Sequence, residues 1–573
     1  MSKLVSGFNY SNRIRIISIC MFLFAVLLVG RLYILQVVNN DLYIDKADRQ
    51  YVSASKNIFS RGSIYFQNKD GSLVSGATLE AGFTVAINPQ ILKNPEEAYL
   101  KLNEIIPLDH DIFITKATKQ GDPYEEIALK QSLGIGQKID DLKISGVQVV
   151  KTRWRFYPGG GIASHVLGIM GFKGDDYAGR YGLERQFEAE LLRKDGAYVN
   201  FFAQIFSDIK NATADDSSME GDVVTTIEPT VELFLQNLLA STTEKWSSEI
   251  TGGIIMDPKT GEIYAMEVNP TFDPNHPELQ KNASVFSNGL VENRYEMGSV
   301  IKPLTIASGI DAGVITAEST YYDKGFVIIN NKKVSNFDGK ERGVVNIQDV
   351  LSQSLNVGAT HVESLLGNKL FSRYMYGFGI GDKTGIDLPN EGRNLVDNLK
   401  SNVDVDLATA AFGQGIALTP ISAIRALSVL ANGGMIIKPH IVKRINYKIG
   451  VSKEIPLENG PHIIKRETSE EITRMMIYSV DNVLSGGSLK LPNYSVAAKT
   501  GTAQIAKSGG GGYYEDQFLH SFVGYFPAYN PRFIIFLYII NPKGARFGSE
   551  TLTVPFMDTV KFLINYYEIP PDR

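Results

Sequence analysis

Cysteine is almost missing from this chain: 573 residues hold one, Cys20, and it sits in an apolar run. No intramolecular disulfide can form, so the fold rests on its core, and a Cys-based zinc site is excluded. Histidine is scarce as well. The seven present show no H-E-x-x-H or related spacing, so neither a metal nor another cofactor is expected. No basic stripe interrupts a net charge of −5 that is spread along the chain, which argues against nucleic-acid binding. Internal repeats are absent too. What is present is ordinary globular material: 44% hydrophobic residues and 53 glycines suit a loop-rich α/β protein. At about 150 residues per domain, the length implies two or more domains.

Long apolar runs are confined to one place. Residues 16–30 are uncharged and apolar, and 32–38 continue the run after Arg31. As a helix, 16–38 is about 34 Å long, enough for a hydrocarbon core of about 30 Å. Arg31 lies near the end, where it snorkels outward or faces a partner helix. Lys3, Arg13 and Arg15 precede the run and no acid appears before Asp41. The positive-inside rule then puts a cytoplasmic tail at 1–15, a single-pass anchor in the cell membrane at 16–38, and residues 39–573 outside. The alternative is a cleaved signal peptide, but no A-x-A-like site follows the run.

Beyond the anchor, 41–55 reads as a helix, and 61–65 and 82–87 as short strands, with a hairpin-type turn at Asn68-Lys69-Asp70-Gly71. Residues 210–222 are polar and small, as in a linker. From 223 the texture changes. A strand at 223–227 leads into 228–246, where Val231, Phe234, Leu235, Leu238 and Leu239 recur with helical period. Strands at 252–257 and 262–268 flank the turn Pro258-Lys259-Thr260-Gly261. Three more strands, at 494–502, 520–525 and 533–540, come late, before a closing helix at 554–567 with nothing expected beyond it. Strands at both ends with helices between predict an α/β (α+β) fold, an antiparallel sheet covered by helices.

Three short stretches carry the chemistry: Ser299-Val300-Ile301-Lys302, Ser354-Leu355-Asn356 and Lys499-Thr500-Gly501-Thr502. Each has rivals. Ser53-Ala54-Ser55-Lys56 also pairs a serine with a lysine, and Lys383-Thr384-Gly385 repeats the third pattern in a glycine-rich turn with no strand before it. Context separates them. Ser299 opens an expected helix at 300–312, with Pro303 tolerated in the first turn and Gly313 as the stop. At a helix start its backbone N–H is unpaired and the dipole favours negative charge. Lys302, one turn on, lies within reach of the Ser299 hydroxyl. Burial and a second cation, Lys499, would lower the pKa of Lys302 from about 10.4 and make it a base. Ser354 falls at a helix–helix junction, and Lys499 at the end of a β-rich run.

Together these stretches resemble the S-x-x-K, S-x-N and K-T-G set of penicillin-binding proteins and serine β-lactamases. Arg155-Phe156-Tyr157-Pro158, His165-Val166-Leu167-Gly168 and Gly182-Leu183-Glu184 resemble marks of the pedestal module of class B penicillin-binding proteins. The resemblance implies a mixed α/β pedestal, dimerisation-like, at 39–222 and a penicillin-binding/β-lactamase-like transpeptidase domain at 223–573. It implies a peptidoglycan D,D-transpeptidase, a β-lactam target, in which Ser299 is the nucleophile, Lys302 the base and Ser354 a proton relay to the leaving amine. Asn356 would grip the substrate amide, and Lys499 and Thr500 its terminal carboxylate. Gly501 would clear space, and the Thr502 N–H would join that of Ser299 in an oxyanion hole. Implied partners are stem peptides of lipid II-derived strands, β-lactams, the membrane and a lipid-II-polymerising membrane glycosyltransferase. Where the family often has Pro-Gly-Ser-Thr, this chain has Met297-Gly298-Ser299-Val300, a change that spares the reactive groups. No equivalent of the acidic deacylation base of class A β-lactamases is found, which favours transfer over hydrolysis. The rivals are a D,D-carboxypeptidase or β-lactamase, and a non-catalytic cell-wall scaffold or β-lactam sensor.

Overall fold

The computed structural model of the chain describes residues 59–173, 176–193, 220–448, 450–507 and 511–573, together with 19 and 21–24. The last five are helical, with exposed apolar side chains. The rest of the expected anchor, the 41–55 helix, the Ser53 pattern and most of the expected linker lie outside the described residues. Among the described residues no helix is long and apolar enough to cross a membrane.

The chain divides into two compact units, residues 80–154 and residues 60–79 with 155–573. The segment begins with a hairpin of β1 (Ile64–Gln67) and β2 (Leu73–Ile87). Its turn is closed by Asn68 N–H on Ser72 O (2.9 Å), with Gly71 at φ +85°, a conformation glycine adopts without strain. In the smaller unit the second half of β2 pairs antiparallel with β3 (Glu125–Gln131). Helices α1 (Pro95–Asn103), α2 (His110–Ala117) and α3 (Leu133–Asp141) accompany that pair, each started by a side-chain cap, from Asn94, Asp109 and Ser132. Val85, Ile87, Leu102, Phe113 and Ile139 fill their common core.

In the larger unit β1 lies parallel to β4 (Gly221–Thr225), with Ile64 opposite Val223. Gly221 and Asp222, expected in the linker, are therefore strand. On its other side β4 pairs antiparallel with β7 (Val442–Tyr447). The main sheet uses β5 (Ile250–Met256), β6 (Ile263–Asn269), β8 (Ala497–Ala506), β9 (Tyr513–Phe526) and β10 (Phe533–Ile540), in the order β8-β9-β10-β5-β6, all antiparallel. Every residue of the central β10 is buried, because both faces of the sheet are covered. Its odd-numbered positions, such as Ile535 and Leu537, pack with α4 (Pro229–Trp246) and the closing helix, Thr553–Tyr566, through Val231, Leu235 and Phe556. Its even-numbered positions, such as Ile534 and Phe536, join the larger core with Val300, Ile301 and Leu304. That second core seats α5 (Lys302–Asp311), which carries the first motif, against the sheet that carries the third.

Several strands differ from expectation in their bounds, β2 most of all, since it starts at Leu73 rather than 82. β8 starts at Ala497 rather than 494, and β9 begins at Tyr513, seven residues before the expected start at 520. The first part of β9 is polar and partly exposed, so it lacks the apolar signal, yet it pairs with β8 as far as Ala506–Tyr513.

Candidate active site

Ser299 lies in a single 3₁₀ turn, Gly298–Ile301, which runs straight into α5, with Pro303 in the first helical turn as its fixed φ permits. The turn is wedged between two backbones. Gly298 has φ +64°, and a Cβ there would lie 2.6 Å from the Thr502 carbonyl oxygen. Behind it, the Gly298 N–H donates to Gly413 O (3.1 Å), and a Cβ on Gly413 would collide with Gly298 O. Gly501 is equally confined, since a Cβ would meet Ser521 Oγ and lie 2.7 Å from Met297 O. Ser521 Oγ itself donates to Met297 O (2.9 Å). Glycine at all three positions lets β8 come flush against the Ser299 turn. Gly298, Gly413 and Ser521 matter through contacts between distant segments, which leave no local signal in the sequence.

Ser354 separates α6 (Ile347–Ser352) from α7 (Asn356–Leu366), at the junction expected. Asn346 caps α6 through Asp349 N–H (2.8 Å). α7 starts at Asn356 itself. Ser354 has φ +59°, a strained value for serine that is held by the packing around it. Its hydroxyl accepts from two lysines, Lys302 Nζ at 3.2 Å and Lys499 Nζ at 2.9 Å. Lys302 also donates to the Ser354 carbonyl (2.5 Å), so its hydrogen bonds go to Ser354 and none to Ser299. Lys499 donates as well to Thr500 O (3.0 Å).

Lys302 is fully buried and Lys499 nearly so. Burial pushes Lys302 well below the ordinary lysine range, and the neighbouring Lys499 adds to the effect. Burial brings Lys499 down to about 7. A neutral amine one step from a hydroxyl is what general-base activation of a serine needs.

Asn356 Nδ2 donates to Ser335 O (2.9 Å), which orients the carboxamide. The next residue is pinned as well: Val357 N–H donates to Asn336 Oδ1 (3.1 Å), and Asn336 Nδ2 donates to both oxygens of Asp323 (3.1 and 2.8 Å). Thr502 Oγ1 accepts from Gly548 N–H (2.9 Å). Ser299, Ser354, Asn356, Lys499, Thr500, Gly501 and Thr502 all line one cleft of about 1290 Å³, and Lys302 lies buried behind it. Phe337, Gln414 and Phe547 complete its walls. The rival Lys383-Thr384-Gly385 is elsewhere: the N–H groups of Thr384 and Gly385 both point at Glu391 (2.5 and 3.0 Å), a turn clamp. Among the described residues no cluster of three His, Cys, Asp or Glu is placed to hold a metal.

The arrangement is matched by known proteins. Residues 251–559 match the family model for the penicillin binding protein transpeptidase domain, and 59–225 match that for the penicillin-binding protein dimerisation domain. Stage V sporulation protein D of Bacillus subtilis is 29% identical, over 89% of this chain and 79% of its own length. A peptidoglycan D,D-transpeptidase FtsI from Buchnera aphidicola is 27% identical, over 98% and 96%. In three dimensions the chain is similar to penicillin binding protein 2X of Streptococcus thermophilus (TM-score 0.71, 21% identity, 90% of this chain and 81% of that one). It is also similar to penicillin binding protein 3 of Mycobacterium tuberculosis (TM-score 0.68, 21% identity, 90% and 98%).

Proposed function

The chain belongs to the penicillin-binding protein transpeptidase family, in its class B branch, and from that premise we infer that it is a peptidoglycan D,D-transpeptidase whose acyl-enzyme forms on Ser299. Neutral Lys302 takes the Ser299 proton as Oγ attacks the penultimate D-alanine carbonyl. The N–H groups of Ser299 and Thr502 hold the oxyanion. The Ser354 hydroxyl passes a proton to the departing D-alanine nitrogen and is resupplied from Lys302. Lys499 and Thr500 bind the terminal carboxylate, Asn356 the peptide amide, and Gly501 leaves room for the stem to lie along β8. The amine of a second stem peptide then attacks the ester, forms the cross-link and frees Ser299. A β-lactam enters at the first step and stalls there.

What supports this reading most is the Ser354 hydroxyl shared by two buried lysines, with the Ser299 turn pressed against Thr502. We assign the pedestal to 39–222 and the transpeptidase domain to 223–573. We assign a cytoplasmic tail to 1–15 and a single-pass membrane anchor to 16–38, which carries the catalytic domain outside the cell beside a lipid-II-polymerising membrane glycosyltransferase. Labelling of membranes with a fluorescent penicillin tests the site. Wild type is expected to label and Ser299→Ala not to. A wild type that never labels overturns the acyl-enzyme, and a mutant that labels moves it to another serine. D-Alanine release that rises when an acceptor amine is added supports transfer; release indifferent to the amine means a carboxypeptidase. Carbonate-washed membranes should retain the full chain and lose one that starts at residue 39.

A further inference from the structure

Of the carboxylates near the cleft that the proposed chemistry does not use, one is close in sequence to Ser299. Glu296 stands three residues before Ser299 and is half-buried. It accepts the Gly415 N–H at 3.0 Å and the Tyr513 hydroxyl at 3.0 Å on each of its two oxygens. Those two donors come from separate parts of the chain. Gly415 is two residues from Gly413, the glycine whose carbonyl takes the Gly298 N–H and whose backbone supports the nucleophile turn from behind. Tyr513 opens β9, opposite Ala506 at the far end of β8, the strand that presses Thr502 against the same turn from the front.

We propose that Glu296 is a positioning residue that fixes the Ser299 turn between the Gly413–Gly415 turn and the β8–β9 hairpin, with Tyr513 as its partner. The reasoning is geometric. An oxyanion hole made from the N–H groups of two chain segments works only while the spacing between the segments is held. The Ser299 turn is held at Gly298 by the Gly413 carbonyl and at Met297 by the Ser521 hydroxyl, but neither bond joins the Gly415 side of the groove to the far end of the β8–β9 hairpin. Glu296 ties the start of that segment to both walls. The inference rests on the proposed Ser299 chemistry, and it predicts an effect on the acylation step more than on ligand capture.

The test is stopped-flow acylation by a chromogenic cephalosporin, with the acylation constant and the apparent dissociation constant separated by saturation, on the full-length protein. Glu296→Ala is expected to acylate about 10- to 100-fold more slowly, the range a small misplacement of reacting groups costs, with the dissociation constant within about threefold of wild type. Glu296→Gln still offers a carbonyl oxygen to Gly415 and an amide to the Tyr513 oxygen, so it should recover most of the rate. Tyr513→Phe keeps the Gly415 bond and should fall between. Thermal melts report folding separately, because Tyr513→Phe removes one hydroxyl from a half-exposed site. Glu296→Ala acylating at the wild-type rate overturns the proposal, as does an equal loss in the Gln variant. If wild type itself fails to acylate, the Ser299 reading fails first and independently.

Discussion

At the scale of single residues, the two buried lysines make a prediction with a definite sign. In the unfolded chain a lysine titrates near ~10.4. In the folded protein Lys499 titrates at about 7 and Lys302 well below the ordinary range, both chiefly because burial penalises the charge. Between the folded and unfolded values the unfolded chain holds more protons, so stability rises with pH through that window. Melting temperature should therefore increase from pH 7 to pH 9.5, and Lys499→Met should flatten that increase. Parallel curves for the two proteins would mean that Lys499 is not its source. The same property suits catalysis, since it keeps an amine available as base where an exposed lysine would be charged.

At the scale of elements, α4 and β6 meet through two buried carboxyl groups, Glu232 and Glu267. Glu232 Oε2 accepts the Met266 N–H (2.8 Å), while Glu267 is set against Glu232, Thr271 and Gln236. Burial raises both, and the charge of Glu232 raises Glu267 further. Here the folded protein holds more protons than the unfolded one above the ordinary carboxyl range, so stability falls as pH rises through it. Glu267→Gln keeps the shape and removes the titration. Urea unfolding at pH 5 and pH 8 should show a smaller loss across that interval than wild type, and an unchanged loss would clear the pair of this role. Such a pair could not be read from the sequence, because its members sit on different elements and look like surface residues of an amphipathic helix and an alternating strand. β10, by contrast, was legible to the residue, since a strand buried on both faces is apolar throughout. The three candidate motifs could be placed for a related reason: local rules find a helix start, a helix junction and a strand, although Lys499 proves to lie inside β8 rather than at the end of a β-rich run. The glycines around Ser299 and the polar start of β9 were not, because pairing across the fold decides them.

At the scale of the molecule, the larger unit joins its early segments by a buried ion network. Arg61 Nε donates to Glu184 Oε2 (2.6 Å), and its Nη atoms reach Glu188 at 3.0 and 2.8 Å. Arg155 Nε donates to Glu184 Oε1 (2.5 Å) and its Nη1 to Gly62 O (2.7 Å), while the Tyr157 hydroxyl donates to Glu184 Oε1 (3.2 Å). Arg61, Arg155 and Glu184 are all buried, and loss of Arg61 takes one of two arginines from Glu184 and its arginine from Glu188. Arg61→Ala should cost about 3–5 kcal/mol, read as a lower urea midpoint, whereas a cost below about 1 kcal/mol would show the network to be replaceable. The order of the main sheet carries a consequence of another kind. β5 pairs with β10, with Met256 opposite Ile534, so the sheet waits until residues far along the chain have been made. At about 5–20 residues per second the ribosome takes on the order of tens of seconds to travel between them. A nascent chain halted at residue 530 already contains Ser299, Lys302, Ser354 and Lys499, yet has no β10 to hold them in one place. The candidate Ser299 site is thus left without its central strand until β10 has been made.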